Sequence, residues 1–209
     1  MSRETTLERA LRAEAEVPDA DGLAASVGVA GRADAEGLVE IAYGLADTPL
    51  GAMLVAGTRR GLVRVGLPRE SFDDVLAGLA AELSPRILEL PSRVDEARRE
   101  LDEYFSGDRT RFDLLLDRAL ITQPFRSSVL KATSEVPFGQ AITYGEVAAR
   151  AGSPRAHRAA GSALGANPIP IVIPCHRVVR SGGAVGQYGG GREMKEYLLR
   201  HEGWLADGE

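Results

Sequence analysis

One stretch limits the fold of this chain more than any other: Asn167-Pro168-Ile169-Pro170-Ile171-Val172-Ile173-Pro174-Cys175-His176-Arg177. Each proline fixes its own φ and pushes the residue before it toward extended backbone, so the run is expected to be extended and rigid, a pocket wall. It ends in the chain's single cysteine, followed at once by a histidine and an arginine. Cys175 is expected where the chain turns, at the start of a helical turn, where backbone N–H groups, His176 and Arg177 would lower its pKa. A lone cysteine in an apolar run is also commonly buried and inert, and these residues alone leave that reading open.

The flanks favour chemistry. Downstream lies a glycine-rich loop, Ser181-Gly182-Gly183-Ala184-Val185-Gly186-Gln187-Tyr188-Gly189-Gly190-Gly191. Such density permits unusual backbone angles and close approach to a ligand. It lacks the Gly-Lys-Ser/Thr ending of a phosphate loop. Residues 192–201 then read as a helix with Glu202 at its end. Upstream, residues 123–134 are amphipathic, and Thr143 with Glu146 has capping-box spacing for a helix to about Ala151. Ser153 before Pro154 reads as an N-cap and first helical residue, opening a helix over Pro154–Leu164 that closes near Gly165 and Asn167. This pair predicts a helix-turn-helix. The second helix is thin and basic, with Ala156, Gly161, Ser162, Arg155 and Arg158, so it suits close approach to a nucleic-acid groove; tight helix packing with solvated arginines is the alternative.

The first half reads differently. Apolar runs at 38–43, 50–56 and 62–67, separated by turn residues, predict a small antiparallel meander. Helices are expected over 72–83 and 94–105, and strands over 87–90 and 111–115. The class is therefore α+β: an extension (1–36, flexible or a short helix near Leu7 and Leu11), an N-terminal domain (37–117), and a mainly helical C-terminal domain (118–209). Charge is uneven: residues 1–118 carry 15 basic and 23 acidic side chains, and residues 126–200 carry 10 and 4. The C-terminal part is thus the one suited to an anionic partner. No run suggests a membrane span or secretory leader, one cysteine forms no internal disulfide, and too few thiolates and histidines are present for structural zinc. A soluble, cytoplasmic monomer without metal or cofactor is expected.

The Pro174-Cys175-His176-Arg177-Val178 core, with Asn167-Pro168 and the helix pair from Tyr144 to Leu164, resembles the O6-alkylguanine-DNA alkyltransferase family. The similarity runs from about residue 120 to Gly203 and more weakly back to residue 39, through Leu101-Asp102-Glu103-Tyr104-Phe105-Ser106-Gly107. It implies DNA repair by single, irreversible transfer of an alkyl group from guanine, and possibly from O4-alkylthymine, in duplex DNA to Cys175. It implies that His176 and Glu202 form a relay to that thiol and that Asn167 is a hinge. Arg158 would fill the gap left by a flipped nucleotide, Tyr144 would press on the adjacent phosphate, Arg155, Ala156, Gly161 and Ser162 would meet DNA in the minor groove, and Arg177 would also contact DNA. Pro170, Val178, Tyr188 and Gly189 would form the base pocket. Gly189 stands where a serine is common, and Gly165 where some members carry an arginine.

Two other classes fit parts of the pattern. A lesion sensor would bind and flip alkylated bases without transfer, but such relatives lack the acceptor cysteine. A cysteine hydrolase could use Cys175, His176 and Glu202, although its histidine usually comes from a distant segment. Apart from the resemblance, Glu202 reads as a solvated carboxylate at a helix end.

Overall fold

The structure, a computed structural model, describes residues 29–206. The short helix expected near Leu7 and Leu11 lies outside them. The chain divides into one unit ending at Leu38 and a second beginning at Val39; in the first, residues 29–35 are helical.

The second unit opens with β1 (Ile41–Ala46), β2 (Met53–Thr58) and β3 (Gly61–Gly66), an antiparallel meander. Helix α1 (Phe72–Glu82) follows, and then β4 (Ile87–Glu89) returns parallel to β1, giving the order β3-β2-β1-β4. The sheet is therefore mixed at one edge. Strand β1 starts three residues later than the apolar pattern suggests. The Thr48 hydroxyl donates to Gly51 O and accepts from Leu50 N, and this turn sets the register. Strand β2 is buried along nearly its whole length because both sheet faces are covered. Leu54 and Ala56 face Val75 and Leu79 of α1, while Met53 and Val55 join the main core.

Helix α2 (Asp95–Ser106) buries Leu101 and Tyr104 in that core and ends at Gly107, whose φ of +85° suits the left-handed cap. Residues 111–115 are not a strand. Asp117 draws this segment across as a loop by accepting from Thr58 Oγ1 and Arg60 Nε, leaving one bridge, Leu62 to Leu116.

Helices α3 (Pro124–Ser134), α4 (Tyr144–Arg150) and α5 (His157–Gly165) pack through Val129, Leu130, Val147, Ala148, Ala160 and Ala163. The capping box is formed in full: Thr143 Oγ1 accepts from Glu146 N, and Glu146 Oε2 accepts from Thr143 N. The next helix starts later than Pro154. Ala156 N donates to Ser153 O, so Pro154 and Arg155 form a turn, and Ala156 occupies the cap with φ −94° and ψ 29°. Strands β5 (Ile142–Thr143) and β6 (Val178–Val179) form a short parallel pair, and α6 (Arg192–His201) closes the chain. Among the described residues no helix is long and apolar enough to cross a membrane.

Candidate active site

The proline-rich segment is not extended; it folds into a tight buried loop. Pro170 bridges to Ile173, Ile173 N donates to Ile169 O, and Ile171 takes a φ of 72°. A β-branched residue in that region costs on the order of 1–3 kcal/mol and persists only where its surroundings fix it. Asn167 does so: its Oδ1 accepts from Ile169 N, and its Nδ2 donates to Ile173 O at 2.9 Å and to Cys175 Sγ at 3.1 Å. The loop is also anchored to the sheet, since Pro168 O accepts from Val65 N and from Arg64 Nη1.

Pro174 ends the loop, and Cys175–Arg177 form one 3-10 turn. This turn splits the three side chains. Cys175 is 7 % exposed and lines the floor of a cleft of about 1020 Å³, with Tyr144, Arg158, Gly161, Tyr188 and Gly189 around it. His176 is fully buried behind it, its Nε2 lying 2.7 Å from Glu202 Oε1.

Arg177 points away from the cleft, contrary to its expected contact with DNA. It is 6 % exposed, donates from Nε and Nη2 to both oxygens of Glu202 at 2.8 and 3.0 Å, and donates from Nη1 to Val136 O. It is a structural counter-charge, not a groove contact, and it does not activate the thiol. Glu202 is likewise no solvated carboxylate. It is 5 % exposed and also accepts from Tyr104 Oη and Gly139 N. Burial alone would raise its pKa, but the hydrogen bonds from His176 and Arg177 and the Arg177 charge prevail and bring it to about 2.

That carboxylate fixes the imidazole. An ionised Glu202 can only accept, so His176 Nε2 carries the proton. Burial lowers the His176 pKa against the opposing pull of Glu202, keeping the ring neutral. Its Nδ1 is then a bare acceptor, buried and without a partner among the described residues.

Burial also raises the Cys175 pKa, against the lowering effects of the Asn167 hydrogen bond, the Lys195 charge and backbone N–H groups. The resting thiol is therefore protonated, which corrects the expectation of a lowered pKa.

Lys195 was not singled out by sequence reasoning. Its residue is fully buried, its Nζ donates to Val178 O at 2.5 Å, and it lies 5.8 Å above the Tyr144 ring centroid. Burial lowers its pKa to about 8, against the raising effect of the Cys175 thiolate once that forms. A buried ammonium near the sulfur rewards the thiolate. Lys195→Met is expected to raise the thiol pKa by about one unit and slow its capture by iodoacetamide about ten-fold at neutral pH. Thiolate absorbance measured across pH checks this.

The other expected residues fall into three groups, with Val178 apart from them. Tyr144, Arg158, Gly161 and Ser162 line the cleft with Cys175. Asn167 and Pro170 line a rear cavity of about 380 Å³ that shares Cys175, Tyr188 and Gly189 with it. Arg155 and Ala156 sit instead at the corner before α5, lining a separate hollow. Val178 is fully buried; its N–H donates to Cys175 O and its carbonyl accepts from Lys195 Nζ.

Tyr188 places its hydroxyl in a covered position without a partner among the described residues. Gly186 takes a φ of +76°, and a Cβ there would lie 3.4 Å from the Tyr144 hydroxyl, so the glycine-rich loop passes closely beneath that ring. Among the described residues no group of three or more His, Cys, Asp or Glu side chains could hold a metal ion.

Comparison with known proteins gives concordant matches. Residues 124–204 match the 6-O-methylguanine DNA methyltransferase DNA-binding domain. Residues 41–118 match the ribonuclease-like domain of the same enzyme type. A methylated-DNA–protein-cysteine methyltransferase of Methanosarcina barkeri is 40% identical over 160 residues, covering 77% of this chain and 96% of the relative. One of the same name from Mus musculus is 40% identical over 171 residues, covering 77% and 81%. The crystal structure of Mycobacterium tuberculosis OGT in complex with DNA superposes with a TM-score of 0.67 at 34% identity, covering 77% of this chain and 92% of that one.

Proposed function

From the premise that this chain belongs to the O6-alkylguanine-DNA alkyltransferase family, whose domains match residues 41–118 and 124–204, we propose that it repairs alkylated duplex DNA by moving the alkyl group onto Cys175. The observation that carries this reading is the placement of Cys175. Its sulfur is held by Asn167 on the floor of a cleft flanked by Tyr144 and Arg158, with a neutral histidine behind it locked onto Glu202.

The chemistry follows from those groups. His176 Nδ1 takes the thiol proton through a bridging water, because adjacent side chains on one turn point apart. Asn167 Nδ2 and the Lys195 charge stabilise the resulting thiolate. The sulfur attacks the alkyl carbon attached to guanine O6. A sulfur–carbon bond forms, the carbon–oxygen bond breaks, and guanine leaves with the electron pair and is then protonated. The product is a thioether that water does not reverse, so each molecule acts once. No metal or cofactor enters the scheme.

A sulfur at the floor of a cleft cannot reach a base inside the stack, so the nucleotide must be flipped out. Helices α4 and α5 serve as the helix-turn-helix, with α5 in the minor groove. Arg158 fills the vacated stack, Tyr144 presses on the neighbouring phosphate, and Pro170, Tyr188 and Gly189 wall the base pocket. The working domains are 37–117 and 118–209, acting as a monomer in a reducing cytoplasm that keeps the acceptor thiol free.

The test is incubation with a duplex containing O6-methylguanine, followed by intact-mass and peptide analysis. One methyl group per protein, on Cys175, is expected; repeated turnover or a different acceptor would refute the proposal. For Arg158→Ala the expected result is a loss of about 10²-fold on the duplex with little change toward free O6-benzylguanine, since only the duplex requires extrusion. Equal losses on both would remove Arg158 from the flipping step.

A further inference from the structure

Tyr104 lies on α2, in the half of the chain that supplies none of the reacting groups. It grips the relay at two points. Its hydroxyl donates to Glu202 Oε1 at 2.8 Å, the oxygen that also accepts from His176 Nε2 at 2.7 Å. Its carbonyl accepts from His201 Nε2, also at 2.7 Å, the residue just before Glu202. The ring is fully buried, with centroids 5.1, 5.4, 6.1 and 5.0 Å from Phe105, Phe112, Phe138 and His201. Core packing would account for the ring. It does not account for a hydroxyl aimed at a carboxylate 98 residues away.

We propose that Tyr104 is a positioning residue for the alkyl transfer, its hydroxyl holding Glu202 Oε1 and sharing that oxygen with His176 so that the imidazole keeps an open nitrogen toward Cys175. The inference rests on the repair reading above. Physically, each donor on Oε1 withdraws part of the negative charge that His176 feels. With Tyr104 present, the carboxylate orients the ring without drawing a second proton onto it. Burial raises the phenol pKa far above its ordinary value, so the hydroxyl remains a donor throughout the working pH range. The other groups acting on the same histidine are the Arg177 and Lys195 cations, both of which disfavour its protonation. Cys175 precedes it in the chain, and the Tyr188 ring stands edge-on with its centroid 6.4 Å away.

The experiment is the pH dependence of Cys175 alkylation by free O6-benzylguanine, which needs no DNA, in the full chain and in Tyr104→Phe. Phenylalanine keeps the ring and the main-chain bond and removes only the hydroxyl. Glu202 then pulls harder on His176, and the acid limb of the profile is expected to move up by about half to one pH unit. The rate should fall about three- to ten-fold on the acid flank and change little on the alkaline plateau. Phe112→Leu, which disturbs the packing without touching the carboxylate, should leave the limb in place. Should Tyr104→Phe fold poorly, 3-fluorotyrosine at position 104, a stronger donor of the same shape, should move the limb down. A limb unmoved in either replacement, or a uniform loss across pH, overturns the role of Tyr104. A wild-type chain that takes no alkyl group at all would instead overturn the repair reading.

Discussion

Cys175→Ser is expected to abolish alkyl transfer while leaving duplex binding intact. The change swaps one atom, and the Asn167 amide can still donate to it. What disappears is the nucleophile. An aliphatic hydroxyl ionises far less readily than a thiol, and the burial that already raises the Cys175 pKa opposes an alkoxide even more strongly. Neutral His176 is too weak a base to close that gap. Binding should persist, because Arg158 and Tyr144 line the cleft independently of the sulfur. The fold should lose only about 1–2 kcal/mol, the usual cost of burying one more polar group. Retention of O6-methylguanine after incubation with excess variant, set against a normal gel shift, checks both halves. Any methyl loss from DNA with the variant would mean that Cys175 is not the acceptor.

Legibility in the sequence followed the range of the interactions. The capping box at Thr143 and Glu146 spans three residues and reads directly from their spacing. Helices α2, α3 and α6 fall within a residue of their apolar patterns, since each buries one face along a continuous segment. The strand starts were less legible. Val39 and Ile41 look alike in sequence, and only the Thr48 turn and pairing with β2 decide where β1 begins. The loop at 167–175 departs from its sequence pattern for a similar reason. Prolines suggest extension, whereas the Asn167 side chain supplies hydrogen bonds that fold the segment on itself.

The site shows the same division. Cys175 and His176 stand out because they are adjacent to each other and to the prolines. Arg177 looks like a third member of that group, yet its partners are Val136 and Glu202, 41 and 25 residues away. Nothing local distinguishes an arginine facing DNA from one that neutralises a buried carboxylate. Tyr104 and Lys195 resemble ordinary helix residues until folding carries them to Glu202 and Val178. A clue was available for Lys195: a lysine on a face with Met194, Leu198 and Leu199 is a candidate for burial, and burial of a cation calls for a reason.

Glu202→Gln is expected to damage stability and catalysis together, by one cause. The carboxylate side chain is 0% exposed and accepts from Tyr104, His176, Arg177 and Gly139. An amide presents hydrogens to donors whichever way it turns. In either orientation the Arg177 guanidinium, only 7% exposed, loses its counter-charge, and with the amide nitrogen toward it two donors also face each other. With its nitrogen toward His176, the ring must accept at Nε2 and carry its proton on Nδ1, which removes the acceptor that Cys175 needs. Stranding a buried charge costs about 3–5 kcal/mol, and for a chain of this size that corresponds to a fall in Tm of roughly 6–20 °C. Alkylation of Cys175 should slow by about 10²- to 10⁴-fold, the usual worth of a positioned base.

Acid adds a second signature. The Glu202 pKa is depressed on folding, from an ordinary 4.5 to about 2. Its contribution is therefore complete above pH 4.5 and is lost as pH falls toward 2. The stability gap between wild type and variant should be widest near neutrality and close across that window, read as urea midpoints at successive pH values. A constant gap through the acid range would mean that the charge of Glu202 does not stabilise the site, and the proton relay built on it would fail with it.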